Sequence, residues 1–238
     1  MARRRWIADW HDEGAQRASL TGANAEHLVR VLRAQPGQQY EIATPSGVFL
    51  GTIFSIALDA VEFTLGESLG TAATLETHLL LSIFKFDRFE WALEKAVELG
   101  VTSITPVLAT RTEKHLAAAA DKRVERWRRI ATEAAQQSRQ PSAPLLSNPQ
   151  PLEVAAKQSS GSLILLDETE QERSLWSALT PDAATTLAIG PEGGWTTEEL
   201  SLFSKAKWTP TTLGTSILRA ETAVIAALAL VNQARLQP

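Results

Sequence analysis

The sequence predicts an α/β protein in which a small antiparallel β-barrel precedes a mostly parallel sheet covered by helices. Three observations predict this. Up to about Gly70, apolar and polar residues alternate in short runs between turn residues, the two-residue period of strands with one buried face. From Leu75 onward, apolar strand-like runs alternate with amphipathic helical segments, the pattern of a parallel sheet with helices on its faces. Near the C-terminus, two glycine-marked loops each follow a strand-like run, and ligands in such folds sit beyond the carboxyl ends of the strands.

Taken in order, one helix from about Asn24 to Leu32 precedes the barrel strands. Tyr40-Glu41-Ile42-Ala43 alternates, Pro45-Ser46-Gly47 signals a turn, and Val48 to Phe54 and Ala60 to Leu65 follow as strands. Gly66 to Thr74 is small and polar and reads as a linker between domains at 1–70 and 75–238. Leu79 to Phe84 is a buried strand. Arg88 to Leu99 is an amphipathic helix stopped at Gly100, where a left-handed residue is wanted. Ser103 to Leu108 is a strand, and Lys122 to Ser138 is a long helix that Pro141 and Pro144 forbid from continuing. Leu163 to Leu166, Thr186 to Ile189 and Thr211 to Leu213 are further strands. Thr196 and Glu199 have capping-box spacing, which starts a helix running to about Lys207. Ala220 to Arg235 is apolar on nearly every face and must therefore be a buried helix.

Composition narrows the function classes. With 44% apolar and 21% charged residues the chain is an ordinary soluble globular protein. It has no cysteine, so disulfides and thiolate metal sites are excluded, and its four histidines show no metal-ligand spacing. The basic start has no apolar run behind it, and no stretch is long and apolar enough for a bilayer, so a cytoplasmic protein without membrane contact is expected. The net charge of −4 counts against a generally basic nucleic-acid binder. Only residues 71–145 carry more Lys and Arg than Asp and Glu, concentrated in Lys122 to Arg129, and a local patch suffices for phosphate contact.

The two loops carry the chemistry. The first reads Ala188-Ile189-Gly190-Pro191-Glu192-Gly193-Gly194-Trp195 and the second Leu213-Gly214-Thr215-Ser216-Ile217-Leu218-Arg219-Ala220-Glu221-Thr222-Ala223. Glycine lets a backbone approach a ligand closely or turn through positive φ. Two such loops on neighbouring strand ends form one cleft walled by peptide N–H and C=O groups, which suits the edge of a flat heterocycle such as adenine. The glycines fit neither a P-loop nor the dinucleotide fingerprint that opens the first helix after the first strand.

In these motifs the chain resembles the RsmE family, small-subunit ribosomal RNA uridine methyltransferases acting at ring nitrogen three, within the SPOUT superfamily. Lys85-Phe86-Asp87-Arg88 through Val101, Arg126-Trp127 through Ser138, and His27-Leu28 through Gly37 are similar to further family segments. The resemblance implies a deep trefoil knot in the parallel-sheet domain, a PUA-like RNA-binding barrel before it, and a homodimer. It also implies S-adenosyl-L-methionine as methyl donor, no metal, and 16S ribosomal RNA or the assembled small subunit as partner. Two readings stay open beside it. One is a SPOUT ribose 2′-O-methyltransferase, whose second motif is of Ser-Leu-Asn type where Ile217-Leu218-Arg219 stands here. The other is a noncatalytic RNA-binding or assembly factor with the same fold.

The resemblance assigns cofactor contact to Leu166, Ile189, Gly190, Pro191, Glu192, Gly193 and Gly194 in the first half of the site. Leu213, Gly214, Ile217, Leu218, Arg219 and Thr222 complete it. Arg219 and Glu192 are the candidate catalytic residues. A guanidinium suits negative charge developing on the uracil carbonyls, because it stays charged and forks two N–H groups at planar oxygens. Against these stand plainer roles: Glu192 as a cap of the following turn, Arg219 as a partner of Glu221. Expected RNA contacts are Arg30 and Arg33, spaced one helical turn apart, with Lys85, Arg111 and Arg139. Arg139 departs from the family register, in which the arginine follows Gln-Ser-x. Arg3, Arg4 and Arg5 are either a tail or an RNA-binding arm.

Overall fold

The computed structural model describes residues 5–44, 46–57, 59–70, 75–140 and 142–236. The chain falls into two compact units: Met1–Ala73 with Ala135–Ala143, and Thr74–Ala134 with Pro144–Pro238.

The first unit is built on a six-stranded sheet among the described residues. Its strands are β1 (Arg5–Ile7), β2 (Trp10–Asp12), β3 (Arg17–Thr21), β4 (Gln39–Thr44), β5 (Gly47–Ile56) and β6 (Ala60–Gly70). β4, β5, β6 and β3 pair antiparallel in that order. The segment from Arg5 to Asp12 then spans both outer strands. β1 runs parallel to β4, β2 runs antiparallel to β3, and between them Ala8 N donates to Ala43 O and Asp9 N to Ser19 O, each at 2.9 Å. The sheet therefore curls on itself around a core of Trp6, Leu20, Leu28, Ile42 and Phe63.

The first three strands have no counterpart in the sequence reading, because their runs are only three to five residues and carry little period. The helix expected from Asn24 to Leu32 begins earlier as α1 (Gly22–Glu26) and widens into a π-helical turn at His27–Val31. Residues 66–70, read as linker, continue β6 instead. The rest of that linker, at 71–74, lies outside the described residues, as do Arg3, Arg4, Pro45 and Pro141.

Among the described residues, the second unit is built on a seven-stranded, wholly parallel sheet. Its strands are β7 (Thr77–Ser82), β8 (Ser103–Leu108), β9 (Leu145–Leu146), β10 (Gln150–Pro151), β11 (Ser162–Leu166), β12 (Thr185–Ile189) and β13 (Thr209–Thr211). The spatial order is β10-β8-β7-β12-β11-β13, with β9 beside β8. Strand order reverses between β7 and β12, the switch point where doubly wound sheets leave a crevice.

The helices are α2 (Phe86–Glu98), α3 (Lys114–Ala119), α4 (Val124–Gln137), α5 (Leu152–Gln158), α6 (Leu175–Ala178), α7 (Thr197–Lys205) and α8 (Ala220–Arg235). α2 buries Phe89, Ala92, Leu93, Ala96 and Val97, the i, i+3, i+4 stripe its sequence carries, and ends at Gly100 with φ +82°. α8 packs on α2 and α6, burying Val224, Ala227, Leu228 and Val231. The short α3, α5 and α6 escape a sequence reading because fewer than eight residues show little period. Four of the seven tryptophans, Trp6, Trp127, Trp195 and Trp208, are buried; Trp10, Trp91 and Trp176 are exposed.

Candidate active site

β12, β11 and β13 lie side by side, with Leu165 in register with Ala188 on one flank and Leu166 with Thr211 on the other. Because all three are parallel, their carboxyl ends open on one side of the sheet. The chain leaves β11 through Asp167 and Glu168, β12 through Gly190 to Trp195, and β13 through Thr212 to Arg219. Together with Arg88 of α2 these exits enclose a cavity of about 370 Å³, within the roughly 300–1,000 Å³ of small-molecule sites.

The first glycine loop is shaped by its neighbours. Trp195 folds back beneath Gly190, and a Cβ on Gly190 would sit 3.1 Å from the indole ring. The indole Nε1 donates to Leu166 O at 3.0 Å, tying the loop to the end of β11. Gly194 has φ +69°, and its N–H closes a turn on Pro191 O at 2.8 Å. A side chain there would adopt a strained backbone and meet the Glu168 carboxylate at 2.6 Å. The Arg111 guanidinium donates to Gly193 O and, at 3.2 Å, to Trp195 O. Thr196 and Glu199 form the expected capping box, and the second Glu199 oxygen accepts Thr110 N at 2.7 Å.

The second loop is held at its root and open at its tip. The Thr212 hydroxyl donates to Gly214 O at 2.9 Å and accepts Gly214 N at 3.2 Å, with Gly214 at φ +128°. Among the described residues, the peptide groups of Thr215, Ser216, Ile217 and Leu218 take no hydrogen-bond partner. Ile217 is 83% exposed. Unspent peptide edges beside bare apolar side chains are what a flat, partly polar ligand requires of a wall. Arg219 occupies the N-cap position of α8 in extended geometry, exposed and without an ion-pair partner among the described residues.

Charge gathers at one side of the cavity. Arg88 Nη1 donates to Glu192 Oε1 at 2.6 Å, and Arg88 Nε stands 3.9 Å from Glu221 Oε1. Glu221 is buried, and its Oε2 has no hydrogen-bond partner among the described residues. Its ionic neighbour is thus Arg88 rather than Arg219. Asp167 and Glu168 also line the wall, so carboxylates outnumber guanidinium groups around the cavity, which favours a cationic ligand. Among the described residues, no group of three or more His, Asp or Glu is placed to hold a metal ion.

Of the residues singled out for cofactor contact, all but Gly193 and Thr222 line the cavity. Gly193 turns its Cα toward Arg111, and Thr222 lies on the exposed face of α8. The expected RNA contacts are placed variously. Lys85 is exposed at the N-cap of α2, while the Arg111 fork is engaged by the first glycine loop. In the first unit, Arg30 pairs with Glu26 at 2.7 Å. Arg33 lies beyond the π-turn at φ +52°, so it is not one turn along a helix from Arg30 as its spacing predicts. Arg139 has φ +59°, and its carbonyl accepts the Arg5 guanidinium.

Sequence reasoning missed Arg88, Asp167, Glu168 and Trp195 as wall residues. Asp167 and Glu168 directly follow Leu166 and were legible from the rule that sites lie beyond strand ends. Arg88 carried no local signal, since only the packing of α2 on α8 brings it to the loops.

A parallel sheet whose strands β12 and β13 end in glycine loops that close on one cavity is, in this chain, the architecture of an RNA methyltransferase domain. A family model described as an RNA methyltransferase domain matches residues 71–232. The ribosomal RNA small subunit methyltransferase E of Synechocystis sp. is 33% identical over 221 residues, covering 90% of this chain and 72% of that protein. Its counterpart in Bacillus subtilis is 27% identical, covering 92% of this chain and 91% of that one. Among solved structures, the same enzyme from Neisseria gonorrhoeae, bound to S-adenosyl methionine, superposes with a TM-score of 0.84 at 27% identity over 98% of both chains. A putative methyltransferase from Legionella pneumophila, in complex with the same cofactor, also gives 0.84 at 27% identity over 98% of both. The chain belongs to the ribosomal RNA small subunit methyltransferase E family.

Proposed function

We propose that this protein transfers a methyl group from S-adenosyl-L-methionine to ring nitrogen three of a uridine in small-subunit ribosomal RNA. One observation carries the reading: the two glycine loops that leave β12 and β13 close on a single cavity whose wall offers free peptide edges. The residues present fit the donor. Gly214 leaves the backbone bare where a flat ring would lie, Ile217 and Leu218 supply apolar contact, and the carboxylate excess suits a sulfonium.

When bound, the donor supplies an electrophilic methyl group. The chain's own groups orient the acceptor and balance its charge. Arg219, exposed at the cavity rim, faces negative charge that develops on the uracil carbonyls as the ring nitrogen loses its proton. Glu192, held by Arg88, stands beside it as the acidic member of the site. The target base must leave its stack to reach this rim. Residues 1–70 act as a PUA-like RNA-binding domain and 75–238 as the methyltransferase domain, with the C-terminal segment knotted and the enzyme working as a cytoplasmic homodimer. Arg30, Arg33, Lys85, Arg111 and Arg139 remain the proposed RNA contacts.

Calorimetric titration with S-adenosyl-L-methionine, followed by methyl transfer to naked RNA and to assembled subunits, tests the reading. Nucleoside mass spectrometry of the product distinguishes ring nitrogen three from a ribose hydroxyl. A protein that binds no donor at millimolar concentration refutes it.

A further inference from the structure

Arg88 belongs to neither glycine loop, yet it touches both halves of the site. Its guanidinium donates to Glu192 of the first loop at 2.6 Å and lies 3.9 Å from Glu221, two residues beyond Arg219 at the start of α8. The two carboxylates differ in kind. Glu192 is partly exposed at the cavity wall, whereas Glu221 is buried with one oxygen lacking a hydrogen-bond partner among the described residues. A buried carboxylate without a counter-charge is strongly unfavourable, so Glu221 keeps Arg88 drawn toward α8. Arg88 in turn keeps Glu192 from swinging into solvent. The close pair faces the cavity and the looser one lies behind it. One cation thereby couples α2, the first glycine loop and the first turn of α8.

We propose that Arg88 is a positioning residue of the transfer site, fixing the Glu192 carboxylate beside the cavity while Glu221 braces it from behind. The inference rests on the function proposed above. It assigns Arg88 an effect on turnover exerted through Glu192, not a contact with the donor.

A double-mutant cycle on methyl transfer tests it, using Arg88→Met, Glu192→Gln and the pair, with donor affinity measured by calorimetry. Arg88→Met is expected to lower kcat by about tenfold or more while changing donor Kd by less than about threefold. Arg88→Lys is expected to recover most of the loss, since it restores the charge. The double variant is expected to be no worse than the poorer single, because one residue acts through the other. Losses that multiply, or Arg88→Met turning over at the wild-type rate, would overturn the assignment. If Arg88→Met does not fold, Arg88→Met with Glu221→Gln removes the stranded charge and carries the same cycle. A wild-type chain that ignores the donor sinks the proposed function and this inference with it. A chain that binds and transfers but is indifferent to Arg88 sinks the inference alone.

Discussion

Trp195 reaches back from the first glycine loop and donates its indole N–H to Leu166 O at 3.0 Å. The ring also packs edge-on to Phe203 of α7, with centroids 4.9 Å apart, so one side chain joins the loop, the end of β11 and the helix behind them. Trp195→Phe keeps most of the packing and removes the donor. It is expected to lower unfolding free energy by about 1 kcal/mol and to weaken donor binding, as read by urea denaturation and calorimetry.

Gly194 and Gly214 hold their loops by backbone geometry, at φ +69° and +128°. Gly194→Ala places its methyl against the Glu168 carboxylate, a flexible side chain that can retreat. The backbone penalty that remains is about 1–2 kcal/mol. Gly214→Ala meets no neighbour among the described residues but demands a backbone region closed to side-chain-bearing residues, so the loop itself must rearrange. Gly214→Ala is therefore expected to lose more donor affinity than Gly194→Ala. Equal affinities would show that the second loop adapts freely.

Arg219 makes no ion pair among the described residues and is exposed. Arg219→Ala is thus expected to leave the thermal midpoint near wild type. Methyl transfer is expected to fall by roughly 100-fold or more, the scale of lost orientation. Near-normal turnover would remove Arg219 from the mechanism.

Glu199 is buried at 6% exposure, and its two oxygens accept Thr196 N and Thr110 N. A glutamine offers only one acceptor, so Glu199→Gln leaves one of these donors facing an amide N–H. A loss of about 1–3 kcal/mol is expected, measured by chemical denaturation. Because Thr110 precedes Arg111, which holds the first loop, a weaker donor affinity should accompany it.

Long, regular elements were legible in the sequence. The stripe of α2, the capping box of α7 and the apolar α8 each announce themselves through a period or a cap. The two loops were legible because their glycines fall at strand ends; the strands they follow, β12 and β13, are not neighbours but flank β11 on either side. What was not legible depends on contacts between distant residues. The Arg88–Glu192 pair spans 104 positions and depends on the packing of α2 on α8. β1 and β2 are too short to show alternation and are defined by pairing with β4 and β3. The left-handed Arg33 and Arg139 are set by local turns that no composition rule marks.

The way Arg5–Asp12 bridges β4 and β3 has a consequence for handling the protein. Those two strands would otherwise present rows of unpaired amides and carbonyls to any passing chain, a template for aggregation. A short, irregular stretch of eight residues is therefore the seam that keeps this half of the molecule from recruiting its neighbours. A protein trimmed past it should precipitate before it loses any catalytic group.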